Sequence, residues 1–187
     1  MDKEDSLIVY ESIYSTNRSL ALAAAEFVNM QLFSNPRTTN HSESLHQESK
    51  QTLIDLVSFF NDGPLHKSTA YLVDALLEIN SSLKDWPVYI EMLLSNESRT
   101  FLGIYLIRTN ILADPYDNIL ISIMSAAVKE SATGQYPPCR IQNRRGMNDS
   151  LKDPRLLYDE RVRITEAFIP FLPKLLSKVQ FYIFNII

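Results

Sequence analysis

Three histidines, a single cysteine and one spaced pair of carboxylates are the side chains best suited to chemistry in this sequence. His41 and His46 lie five residues apart in a polar stretch, and His66 stands alone. No cysteine is near them, and the spacing does not match the ligand pairs of a tetrahedral zinc site. Cys139 follows Pro137 and Pro138 with no obvious base partner, so it reads as a structural or surface thiol. Asp74 and Glu78 are four residues apart, which puts both carboxylates on one side of a helix. Such a pair can serve acid–base chemistry. On a soluble helix it is more simply a solvated face, or a partner for a neighbour's lysine or arginine. No catalytic, cofactor-binding or metal-binding residue is assigned, and the expectation is a protein that is not an enzyme and takes no cofactor.

The stretch "CRIQNRRGMNDSLKDPR" suggests chemistry of another kind. Arg140, Arg144, Arg145, Lys152 and Arg155 outweigh Asp149 and Asp153, on a chain whose formal net charge is −4. Arginine and lysine on a loop can reach phosphates without reading bases, so any DNA contact would be sequence-independent and salt-sensitive. These basic residues are the DNA-contact candidates. The plainer alternative is a solvated loop that its charges keep extended. The mild overall charge argues against a protein that coats nucleic acid or membrane with its whole surface.

The elements that would position these residues are helical. The chain has 187 residues, 45% of them hydrophobic, enough for one compact domain or several helical repeats. Four glycines are too few for glycine-turn nucleotide folds or for many tight hairpins, and neither GxGxxG nor a P-loop occurs. A lone cysteine permits no internal disulfide and favours a reducing compartment. The N-terminus is acidic and has no signal-peptide core, and no apolar run approaches the roughly 20 residues of a membrane span. Asn-X-Ser triplets such as that at Asn17 read as chance matches.

Apolar spacing predicts one helix through Leu7, Tyr10, Ile13 and Tyr14, broken and recapped at Thr16 or Asn17. A second helix puts Leu20, Ala23, Ala24, Phe27 and Val28 on one side and ends at Pro36. A flexible loop is expected over about 35–50, then a helix through Leu53, Leu56, Val57 and Phe60 that stops at Gly63. Ser68 to Trp86, "STAYLVDALLEINSSLKDW", reads as one amphipathic helix that leads into the only tryptophan, and a further helix starts at Pro87. "FLGIYLI" is ambiguous between strand and helix. From Asp114 the signals are strong: a cap, Pro115 at the first position, Asp117 at the third and Gly134 as a stop. A loop over 135–156 follows, then a last helix from near Leu157 that Pro170 and Pro173 should interrupt. Helix pairs thus recur at roughly 40 to 47 residues, the spacing of a HEAT-like all-α solenoid.

Several segments in order resemble the SA/STAG (stromal antigen) family of cohesin subunits. The first carries Val9, Tyr10, Tyr14, Ser15, Ala23, Ala24, Glu26, Phe27, Leu32 and Phe33. The others are "AYLVDALLEINSSLKDW", "ADPYDNILISIMSAAVKESATGQYPPCR" and "RITEAFIPFLPKLLSK". Three departures stand out. Leu77 sits where the family has tryptophan, "YPPCR" lacks the glycine that follows the proline pair, and Thr100 to Thr109 looks like an extra piece. The resemblance implies a middle section of a hook-shaped HEAT-repeat scaffold, downstream of the stromalin conservative domain. It implies a kleisin subunit and other cohesin subunits as partners, DNA contact, a nuclear and chromosomal location, and a role in sister-chromatid cohesion. An α-solenoid adaptor for transport or trafficking shares the periodicity but not the ordered matches. A small helical enzyme would need a convergent polar cluster, and none is visible. After Lys178 the resemblance ends in "VQFYIFNII", apolar on nearly every side. Solenoid ends need a polar cap. The tail over 179–187 is therefore expected not to be a native repeat, and a transcript continuing from Lys178 into further repeats would bear that out.

Overall fold

Asn17 sets the first boundary. The computed structural model describes residues 3–33, 43–63, 68–95, 115–140 and 153–177. In it the Asn17 side-chain oxygen accepts hydrogen bonds from the N–H groups of Ser19 and Leu20. These donors have no partner inside the helix, so the side chain caps it. The cap separates α1 (Lys3–Ser12) from α2 (Arg18–Val28). A π-helical turn, Asn29–Phe33, extends α2. Then come α3 (Glu43–Asn61), α4 (Thr69–Leu76), a 3-10 turn (Ser81–Lys84) and α5 (Trp86–Leu94). The order closes with α6 (Pro115–Thr133), α7 (Pro154–Phe168) and a 3-10 turn, Ile169–Phe171. Every regular element among the described residues is helical, and the expected all-α architecture holds.

α6 is the spine. It packs against α3, α4, α5 and α7, while α2 lies on both α1 and α4. Pro115 opens it, Asp117 is buried in its first turn, and Gly134 ends it at φ 67° with its N–H donating to Glu130 O. A left-handed residue just past the last turn is the usual helix stop, and glycine has no Cβ to oppose it. Trp86 anchors the core between helices: it is buried, stacks on Tyr89 with ring centroids 6.2 Å apart, and touches Phe168 beyond. Burial raises the Tyr89 phenol above its ordinary pKa, and the nearby Asp85 carboxylate adds to the shift.

Four readings of the sequence change. Ser68 to Trp86 is not one helix. α4 stops at Leu76, and the Asn80 side chain caps a separate turn by accepting from Ser82 N–H. The buried face of α2 is Ala21, Ala24, Ala25 and Val28, whereas Leu20 and Ala23 are exposed. α2 packs on both α1 and α4, so a stripe chosen for bulk missed the close-packing side. Leu7 also points outward, while Ile13 is buried beyond the end of α1. Lastly, α3 begins at Glu43, inside the stretch expected as loop. Residues 45–48 there are exposed and so carry no apolar period, yet Glu, Leu, Gln and Lys are good helix formers. His46 Nε2 and Lys50 Nζ reach the Glu91 carboxylate of α5 at 2.5 and 2.9 Å. Their hydrogen bonds, Lys50 first, hold the Glu91 carboxyl below its ordinary value. "FLGIYLI", Asp114 and the tail over 179–187 lie outside the described residues.

Each large apolar side chain buried here contributes about 1.5–3 kcal/mol of transfer free energy. Leu76 is fully buried in the α4 seam. Leu76→Ala should destabilise by about 2–5 kcal/mol, read from urea or thermal melts. A negligible shift would mean that α4 does not pack as described.

Candidate functional site

Asp74 is a carboxylate with no solvent exposure, on the buried side of α4. A buried charge is tolerated only when paired and hydrogen-bonded. Two guanidinium groups supply the pairing. Arg18, from the first turn of α2, donates from Nε to Asp74 Oδ1 at 3.3 Å. Arg140 places its Nε 3.2 Å from Oδ2, with both side chains wholly buried. That second contact is charge against charge, since the Arg140 N–H is not aimed for a hydrogen bond. Asp74 therefore does what the sequence offered as its plain alternative: it partners arginines from neighbouring elements. Glu78, four residues on, is exposed and lies 4.0 Å from Lys84 Nζ.

Arg140 is tied down from several directions. Its Nη2 donates to the carbonyls of Ile13, 3.1 Å away, and Tyr71, 2.7 Å away. Its guanidinium carbon lies 4.7 Å from the centre of the Tyr71 ring. Burial pushes the Arg140 pKa below its ordinary value, and Asp74 is the strongest group opposing the shift. The Arg18 guanidinium covers the Tyr136 ring at 4.2 Å, and the Tyr71 hydroxyl donates to Pro138 O. Residues 136–140 are thus clamped onto α1, α2 and α4.

A turn delivers Arg140 to this position. Its N–H donates to Pro137 O at 3.2 Å, Pro138 is the second residue of the turn, and Cys139 is the third with φ 67°. Proline second and positive φ third mark a type II turn. That geometry gives a physical reason for the glycine expected after the proline pair. Here Cys139 occupies the left-handed position with its free thiol exposed.

The basic candidates therefore separate. Arg140 is corrected: it is an internal ion-pair partner and faces no solvent that DNA could occupy. Sequence reasoning missed this because its partners lie 66 and more residues away, and nothing in "CRIQNRR" distinguishes the buried arginine from the others. Arg155 is exposed in the first turn of α7, whose cap is Asp153 accepting from Arg155 N–H at 3.0 Å. Arg144, Arg145 and Lys152 lie outside the described residues, as do His41 and His66. Among the described residues, no three His, Cys, Asp or Glu side chains converge as metal ligands.

The model of the family described as "Cohesin subunit SCC3/SA, HEAT-repeats domain" matches residues 71–181. Cohesin subunit scc-3 of Caenorhabditis elegans is 35% identical over 176 residues, 94% of this chain and 15% of the relative. Cohesin subunit SA-3 of Homo sapiens is 32% identical over 176 residues, 91% of this chain and 13% of the relative. Cohesin subunit SA-1 of Xenopus laevis is 29% identical over 185 residues, covering 95% and 14%. The chain thus spans about one-seventh of the length of these relatives.

Two stability outcomes follow from the ion pair and the turn. Asp74→Ala leaves Arg140 buried without its counter-charge and should cost about 3–5 kcal/mol, measured by denaturant melts. Cys139→Gly should stabilise by about 1 kcal/mol. It relieves about 1–2 kcal/mol of left-handed strain, against about 0.5–1 kcal/mol for glycine's greater unfolded freedom.

Proposed function

Because the chain belongs to the cohesin SCC3/SA HEAT-repeat family, we propose that it is a non-catalytic scaffold segment of cohesin. The observation that carries the reading is similarity to a cohesin subunit over 94% of the chain, rather than at one local motif. The packing agrees with a scaffold. The buried charges of Asp74 and Arg140 hold helices together. In this reading the segment keeps a curved helical surface in register for a kleisin and other cohesin subunits, and it acts on chromosomes in the nucleus during sister-chromatid cohesion.

DNA contact is the finer part of the proposal. Arg144, Arg145, Lys152 and Arg155 are the phosphate-facing set, without Arg140. Such contacts neutralise phosphates and release counterions, so affinity falls as salt rises. Reversal of Arg144 and Arg145 to Glu should weaken duplex binding at low salt and flatten the salt dependence. Helix content and kleisin co-purification should not change. Unchanged affinity and slope in the folded variant would remove the DNA contact but leave the scaffold reading. Failure to co-purify with any kleisin or cohesin subunit would remove the scaffold reading itself.

A further inference from the structure

We draw no further inference here: the strongest candidate, the apolar stripe that Tyr158, Ile169, Leu172 and Leu176 expose along α7 and the segment after it, lies where the described residues end, and nothing in the structure shows what covers it.

Discussion

The buried pair of Asp74 and Arg140 is the constraint on which the arrangement of helices depends. Neither side chain touches water, so each depends on partners inside the protein. For Asp74 that means the arginines of two separate segments. For Arg140 it means carbonyls at the end of α1 and within α4 as well. A hydrophobic contact tolerates sliding by an ångström, but a guanidinium that donates to two fixed carbonyls does not. The pair therefore sets the register of α1, α2 and α4 against the segment leaving α6, while the apolar core supplies the bulk of the driving force. Its net contribution to stability is small beside the cost of breaking it, since the intact pair has also lost its hydration.

Much of the fold was legible because its signals are local. Asn17 caps α2 through its own side chain, Pro115 opens α6, Gly134 closes it, and Pro170 accompanies the 3-10 turn after α7. These effects act within one helical turn, which a short window of sequence contains. The errors came where a distant neighbour decides. The alanine side of α2 is buried because neighbouring helices, α1 and α4, come close, not because alanine is strongly apolar. Residues 45–48 of α3 are exposed, have no apolar period of their own, and continue a helix whose second half carries the buried Leu53, Leu56 and Val57.

The site was legible by composition and illegible by role. Five basic residues in one stretch signalled phosphate contact, and one of them proved to be interior. Burial of Arg140 is determined by Asp74 and by carbonyls of Ile13 and Tyr71, none of which leaves a mark around residue 140. A signal did exist at the turn. A proline pair followed by a residue in the slot for positive φ implies a sharp, fixed reversal, and a fixed reversal needs something to hold it. The clamp by Tyr71 and Arg140 is that something.

The hydrogen bond from Arg140 to Ile13 joins groups 127 residues apart. On a ribosome adding about 5–20 residues per second, Arg140 is made roughly 6–25 seconds after Ile13. Throughout that interval the carbonyl at the end of α1 lacks its interior donor, and Asp74, once made, lacks one of its two counter-charges. The first helices can form and collapse onto one another, but they cannot take their final register before the later segment arrives. The nascent N-terminal half is therefore a species with an incompletely matched carboxylate and helices whose register is not yet fixed, a state in which a chaperone would find something to hold.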